Sequence, residues 1–465
     1  MISFVMNGHS YTYDTQTVIQ VFYPNETYHT VEAPPAHGLC VESILRMERE
    51  TAEAVLYRDG CIVGRAKAPF GAYAARRALK LAVFTLLCEE TGIRPAWGLT
   101  TGVRPAKTAR EMLDTGMADD DILRLLADEY GMQPEKAALS LTVAHAERGI
   151  LRTNDGTDCA LYIGIPFCPT RCAYCSFAAS ALTKKTDVDG YLVALETELA
   201  GMAPQLAGRR LESVYIGGGT PTALDEVRLE RLLRFVRQTF SFAAVKEFTV
   251  EAGRPDTITA EKLRMMKALG VTRISVNPQT LHDGTLVRIG RQHTARQFFE
   301  AYAMAVDAGF CNINIDLIAG LPGETAAHME QTLAGLAALM PNAVTVHTLA
   351  VKRASQLKEA LDEQVMTAPA VVEEMLRLTR EWCAGMGLRP YYMYRQKNML
   401  GNFENVGYAR PGFEGVYNVQ MMEERQTVFA AGAGAVGKVY TPRENRIERV
   451  PNCKNHWDYV RRMKG

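Results

Sequence analysis

From Leu161 to Leu349 the chain alternates short apolar, β-branched runs with longer stretches in which apolar residues recur at helical spacing. The runs Leu161–Ile165, Ser213–Ile216, Phe248–Glu251, Arg273–Val276, Asn312–Ile318 and Ala343–Leu349 predict strands. Between them VDGYLVALETELA, LDEVRLERLLRFVRQTF, TAEKLRMMKALG, TARQFFEAYAMAVDAG and TAAHMEQTLAGLAALM predict amphipathic helices. Thr294 with Gln297 forms a capping-box pattern ahead of Phe298. Thr325 is placed to cap the helix carrying Met329 and Leu333, and Gly270 and Gly309 stand where helices should stop. Six β-α units predict parallel strands with right-handed crossovers. A full barrel of this kind has eight, so the fold class expected is α/β, with a partial (β/α)6 TIM-like barrel.

The flanking regions read differently. Ahead of the barrel, MISFVM, VIQVFY and AEAVLY have strand-like composition, and Ala72–Glu90 reads as a helix followed by two further helical stretches. This gives a small N-terminal α/β domain with a helical connector over 1–155, the barrel over 156–355, and a C-terminal helical or lid region over 356–465. In the last, PAVVEEMLRLTREWCAGMG predicts an amphipathic helix, while RPYYMYRQKNML and GYARPGFEGVYN read as a lid. Its Tyr391, Tyr392, Tyr394, Tyr408 and Tyr417 either flank a flat macrocycle or pack as interface core. Gly432, Gly434 and Gly437 allow a close backbone approach to a cofactor or a tight turn.

Composition adds bounds rather than partners. With 465 residues, 47% hydrophobic and 22% charged, the chain can bury large cores in two or three domains. Lys plus Arg equals Asp plus Glu at 52 each, so no net field draws it to nucleic acid or an anionic membrane. No uninterrupted apolar stretch reaches bilayer length, and the N-terminus lacks a basic start with an apolar run; a cytoplasmic location is expected.

Of the ten cysteines, Cys40, Cys61, Cys88, Cys159, Cys311, Cys383 and Cys453 are scattered singly and read as small core residues. Cys168, Cys172 and Cys175 instead form C-x3-C-x2-C directly after the first barrel strand. That spacing fits neither the paired knuckles of a structural zinc site nor a two-cysteine redox motif. Three soft thiolates on one loop suit a [4Fe–4S] cluster with one iron left open. On spacing alone, a three-cysteine zinc site stays open as the alternative.

In parallel α/β folds, ligands gather at the carboxyl ends of the strands. GGGTPT (Gly217–Thr222) follows the second strand, Glu251 ends the third, and NPQT (Asn277–Thr280) follows the fourth. Asp316 lies near the end of the fifth, ahead of GLPGET, and His347 to Ala350 close the sixth. The glycine run is either a plain turn or backbone exposed to a ligand. Glu251 is either a solvated carboxylate or an acceptor for ribose hydroxyls. Asp316 is the one acid in NINIDLIAG, and a buried carboxylate requires a partner. Arg291 in IGRQHT makes a surface ion pair or faces a cofactor carboxylate.

The combination of C-x3-C-x2-C after IPF, GGGTPT, a strand-ending Glu, a Gln in the strand-four loop and DLIAGLPGET resembles the radical S-adenosylmethionine (SAM) superfamily. More closely, it resembles the oxygen-independent coproporphyrinogen III oxidase (coproporphyrinogen dehydrogenase) family. The likeness runs from about Leu161 to Ala350 and, in weaker form, through GNFENVGYARPGFEGVYN and AAGAGAVGK. The N-terminal region and ENVGYA are most similar to the HemZ-type branch. The resemblance implies a [4Fe–4S] cluster on Cys168, Cys172 and Cys175, with SAM on the fourth iron. It implies SAM-site positions at Gly218, Gly219, Thr220, Glu251, Gln279, Arg291, Asp316 and Ala350, with Tyr162 and Tyr174 beside the cofactor. Gly219 and Thr220 would also reach toward a second SAM position. Radical chemistry needs no general base, so His347 and His293 are read as packing or hydrogen-bonding residues.

The implied reaction converts two propionates of coproporphyrinogen III to vinyls, giving protoporphyrinogen IX, with a low-potential electron donor such as flavodoxin or ferredoxin. In the best-known branch a fourth cysteine and a histidine stand where this chain has Phe177 and Gly164. HemW-type haem chaperones share the aromatic at Phe177 and are the second expectation. The basic residues Arg76, Arg77, Lys80, Arg94, Arg104, Lys107 and Arg110 read mainly as a solvated face. A porphyrinogen-carboxylate site or an RNA contact are the other readings, the latter that of a tRNA-modifying radical SAM enzyme. Neutral net charge and the lack of interleaved aromatic and basic motifs argue against RNA.

Overall fold

The computed structural model describes residues 1–24, 26–70, 75–151, 156–175, 177, 179–350, 367–396 and 403–464. They form two compact units, Met1–His145 and Ala146–Gly465.

The first unit carries a five-stranded sheet in the order Tyr28–Thr30, Ile2–Asn7, Leu39–Arg46, Thr51–Arg58 and Cys61–Pro69. The first three strands are parallel and the last two pair antiparallel. Helices Thr12–Phe22 and Ala75–Thr91 share a core with Phe4, Val41, Ala54 and Leu56. VIQVFY is therefore not a strand. Thr15, Val18, Ile19 and Phe22 recur at three- and four-residue steps and, with Asp14, are the buried positions of that helix. Its β-branched composition is outweighed by the burial that the helical face achieves. Ala72–Ala74, at the start of the helix expected over Ala72–Glu90, lie outside the described residues.

In the second unit all six expected barrel strands are present: Asp158–Ile165, Arg210–Gly218, Glu247–Glu251, Arg273–Ser275, Asn312–Ala319 and Ala343–Thr348. Each pairs in parallel with the next in chain order. Helices Val188–Leu206, Glu226–Thr239, Ala260–Ala268, Ala295–Asp307 and Ala326–Ala337 alternate with them. Because side chains alternate across a strand, one face of the sheet is apolar and buried, with Ile163, Val214, Val250, Ile274, Ile315 and Val346. The other face carries Tyr162, Tyr215, Glu251, Ser275, Asp316 and His347, so it is polar and chemically equipped. The punctuation holds as well. Gln297 Oε1 accepts from the Thr294 N–H at 2.9 Å while Thr294 Oγ1 accepts from the Gln297 N–H at 3.3 Å.

The C-terminal stretch adds strands as well as helices. Asn405–Ala409 pairs antiparallel with the sixth barrel strand, and Arg389–Tyr394 lies beyond it. At the other edge Thr427–Ala431 runs parallel to the first barrel strand, followed by antiparallel Val436–Thr441 and Arg446–Pro451. The result is one eleven-stranded sheet whose six-strand centre is covered at both edges. The aromatic run RPYYMY is thus strand chemistry. Residues 397–402 of the expected lid lie outside the described residues. Cys40, Cys159 and Cys383 are buried as expected, whereas Cys61 and Cys311 are exposed, the first on the sheet edge and the second in a helix-to-strand turn. No helix among the described residues is long and apolar enough to cross a membrane.

Candidate functional site

The first barrel strand ends at Ile165, and the chain then turns through Phe167–Cys168, which pairs with Ser180–Ala181. Phe167 is fully buried, edge-on to Tyr191 at 5.0 Å, and anchors one leg of the loop. The other leg is closed by backbone bonds from Ser180 to Pro166 at 2.8 Å and from Leu182 to Cys168 at 2.8 Å. The twelve-residue excursion between these anchors holds Cys168, Cys172 and Cys175, all free thiols. Burial pushes the Cys168 thiol up to about 11, with the Thr220 hydroxyl at 3.4 Å opposing and the other two cysteines adding to the rise. Burial likewise raises Cys175. Burial thus favours the thiol form of Cys168 and Cys175, which metal binding would discharge, since coordination deprotonates a thiol outright. Among the described residues no group of three His, Cys, Asp or Glu closes around a single ion. Three soft sulfur donors on one loop fit an iron–sulfur group.

The loop after the second strand is clamped onto this one. Gly219 N–H donates to Ile165 O at 2.8 Å and Thr220 N–H to Phe167 O at 2.7 Å. A Cβ on Gly219 would sit 2.6 Å from Phe167 O, so the glycine is required by the approach of two backbones. Gly219→Ala is expected to lower stability by about 1–3 kcal/mol through overpacking, read as a fall in the urea midpoint without a change in slope. Gly218 has φ of +109°, and its N–H donates to Glu251 Oε2 at 3.2 Å. A Cβ on Gly432, in the C-terminal glycine run, would sit 2.5 Å from Gly164 O, a protein contact rather than an opening to a ligand.

Glu251 ends the third strand and receives a second bond, from the Tyr215 hydroxyl to Oε1 at 2.5 Å. Burial is the main cause that pushes its carboxyl up to about 7; the hydrogen bonds oppose this and the Asp316 charge adds to it. Asp316 has found its partners: Asn277 Nδ2 at 2.7 Å, Asn314 Nδ2 at 2.6 Å and His347 Nε2 at 3.7 Å. Gln279 is buried with φ of +67°, its N–H donating to Asp316 O at 3.0 Å and its carbonyl accepting from Ile318 at 3.0 Å. That left-handed backbone is costly for a non-glycine and persists because both neighbours fix it. Ala350 follows the sixth strand, partly buried.

Arg291 is not the surface ion pair of the first reading. It is buried, and its guanidinium donates to Asn277 O at 2.8 Å, Gly253 O at 3.1 Å and the Tyr174 hydroxyl at 3.2 Å and 3.3 Å. It therefore fixes the tyrosine between the last two cysteines to the loops of strands three and four. His293 is buried, and burial followed by the Arg291 charge lowers it to about 4, so it is neutral. Tyr162 stacks on Tyr215 and Tyr417, with centroids 6.1 Å and 6.2 Å away, and Tyr215 stacks on Tyr417 at 4.4 Å. Tyr391, Tyr392, Tyr408 and Tyr417 are buried, whereas Tyr394 is partly exposed and bonds His347 Nδ1 at 3.2 Å.

Sequence reasoning missed Tyr215, Asn277 and Arg254. Tyr215 stands directly opposite Tyr162 in the strand register, a pairing legible once strands one and two are aligned. Asn277 begins NPQT, and its amide is what Asp316 needed. Arg254, in GRPD after Glu251, is buried and reaches the cysteine loop.

A family model described as the Radical SAM superfamily matches residues 162–335. The chain is 38% identical over 386 residues to the oxygen-independent coproporphyrinogen-III oxidase-like protein HemZ of Bacillus subtilis, covering 81% of this chain and 77% of that protein. It is 32% identical over 281 residues to the heme chaperone HemW of the same organism, covering 60% and 70%. Among solved structures, the coproporphyrinogen III oxidase HemN of Escherichia coli matches with a TM-score of 0.55 at 24% identity, over 68% of this chain and 71% of that one, a likeness of fold.

Proposed function

We propose, for a chain that belongs to the radical SAM family of oxygen-independent coproporphyrinogen-III oxidase-like proteins, that it decarboxylates two propionate side chains of coproporphyrinogen III to vinyls. The observation that carries this reading is the reach of the HemZ likeness. It covers 81% of the chain at 38% identity, against 60% at 32% for HemW. The cofactors of the superfamily are a [4Fe–4S] cluster and SAM. When bound they would supply a hydrogen-abstracting 5′-deoxyadenosyl radical, the chemistry by which a propionate could lose CO2 and pass one electron to an external acceptor.

In this reading Cys168, Cys172 and Cys175 hold the cluster. Gly218, Gly219 and Thr220 bring backbone to SAM, and Glu251 accepts from its hydroxyls through lone pairs not used by Tyr215 and Gly218. Asp316, Gln279 and Ala350 line the same strand ends. Arg291 acts by fixing Tyr174, and the Tyr162–Tyr215–Tyr417 stack forms an apolar wall that excludes water. Coproporphyrinogen III is the substrate and a low-potential protein such as flavodoxin or ferredoxin the electron donor.

One observation favours a haem chaperone as the second reading: Phe177 is 66% exposed beside the cysteines, an aromatic where the best-known oxidase branch carries a fourth cysteine. An anaerobic single-turnover assay with reconstituted protein, reductant, SAM and coproporphyrinogen III separates the two. The expected result is 5′-deoxyadenosine together with a tetrapyrrole that has lost two carboxyl groups. Deoxyadenosine with an unchanged tetrapyrrole mass would sink the substrate and turn attention to haem binding.

A further inference from the structure

Arg254 occupies an unusual place for an arginine: it is 3% exposed, on the loop after the third strand, and its Nη1 lies 3.8 Å from Cys172 Sγ. Its orientation is fixed from two sides. Nε and Nη2 grip the Asp256 carboxylate at 2.9 Å each. Nη1 and Nη2 donate to the Thr170 hydroxyl at 3.2 Å each, and Nη1 also donates to the Thr170 carbonyl at 3.3 Å. Thr170 lies between Cys168 and Cys172, so the guanidinium is wedged into the cysteine loop itself. Burying a cation is costly, and a planar, weakly hydrated guanidinium is the group that bears that cost best. A loop needing only mechanical support could use a neutral amide here. Arg291, another buried cation of these loops, donates to Tyr174, Asn277 and Gly253.

We infer that Arg254 sets the reduction potential of the cluster on Cys168, Cys172 and Cys175, with Asp256 as its counterweight. This rests on the cluster assignment above, and not on the substrate. One-electron reduction places an additional negative charge on the cluster and its sulfurs. A fixed positive charge against a ligating sulfur, in a site shielded from water, stabilises that reduced state more than the oxidised one. Asp256 lies on the far side of the guanidinium and offsets part of the effect. The two residues therefore act with opposite sign, which a purely structural ion pair would not do, since breaking it from either side would perturb the loop alike.

The test is an anaerobic redox titration of reconstituted protein without SAM, following the EPR signal of the reduced cluster, for wild type, Arg254→Gln, Asp256→Asn and Arg254→Lys. Arg254→Gln should weaken the one-electron reduction about tenfold, moving the midpoint about 59 mV more negative. Asp256→Asn should move it positive, and Arg254→Lys should stay near wild type. Midpoints for the Gln and Asn variants equal to wild type, or displaced in the same direction, overturn the inference. If Arg254→Gln fails to retain iron and sulfide, Asp256→Asn decides alone: a positive shift supports the inference and no shift overturns it. A wild type that holds no iron, sulfide or EPR signal overturns the cluster assignment beneath it, and is told apart by that measurement.

Discussion

Cys172→Ser is expected to yield a protein that folds normally, binds almost no iron after anaerobic reconstitution and forms no 5′-deoxyadenosine above background. The loop does not depend on the thiol for its shape. Ala173 N–H donates to Ile289 O at 3.0 Å, Cys175 N–H to Cys172 O at 3.1 Å, and both legs are tied by backbone bonds. Serine preserves the volume and can accept from Arg254, so the change in stability should stay within about 1 kcal/mol. What is lost is a soft anionic ligand, because a serine hydroxyl does not ionise in this range and is hard where iron–sulfur chemistry needs sulfur. Cys383→Ser is the matched control. Cys383 is fully buried on the helix Pro369–Gly385, remote in sequence from the loop. There a hydroxyl takes the place of a thiol in a fully buried site, costing about 1–3 kcal/mol, with iron content unchanged. Iron content and urea midpoint measured on both variants give a double dissociation. Full iron loading of Cys172→Ser would remove that cysteine from the site.

The barrel was legible because its strands are short, apolar on one face and separated by well-punctuated helices; each of the six lies within a few residues of its expected bounds. The misreadings have a common cause. VIQVFY and RPYYMY are both rich in strand-favouring residues, and local composition cannot say which will be used. In the first, the spacing of Val18, Ile19 and Phe22 lets a helix bury them. In the second, a free sheet edge at Ala343–Thr348 is covered through Asn405–Ala409. The site follows the same division. Cysteines, glycines and strand-end acids stand out in a sequence because their chemistry is rare at those places. Their partners do not. Asn277, Tyr215 and Arg254 are ordinary residue types whose importance comes from register and from loops meeting across 36 to 82 positions. Only the folded chain brings those groups within hydrogen-bond distance.

Glu251→Gln is expected to weaken SAM binding by roughly 10- to 100-fold while removing a pH dependence from the stability of the cofactor-free protein. The two effects share one origin. A hydrogen bond to a charged group is worth about 1.5–3 kcal/mol, and in the proposed site the carboxylate accepts from ligand hydroxyls that an amide would meet with one acceptor fewer. The cofactor-free protein, however, is burdened by that charge. Burial first, then the neighbouring Asp316, raises the Glu251 carboxyl to about 7 from an ordinary value of 4.5. In this window the folded state holds a proton that the unfolded state releases, so the stability contribution is fully present below pH 4.5. It is lost as pH rises through about 7. At about 1.4 kcal/mol per unit, the loss is at most roughly 3.5 kcal/mol, and less to the extent that solvent reaches the group. Urea midpoints at pH 5 and pH 8 should thus differ more in wild type than in the glutamine variant, in which no charge forms at this position. Titration calorimetry with SAM on reconstituted protein measures the other effect. Glutamine retaining wild-type SAM affinity would detach Glu251 from the cofactor, and an unchanged pH difference would mean that the folded protein holds this carboxylate ionised throughout.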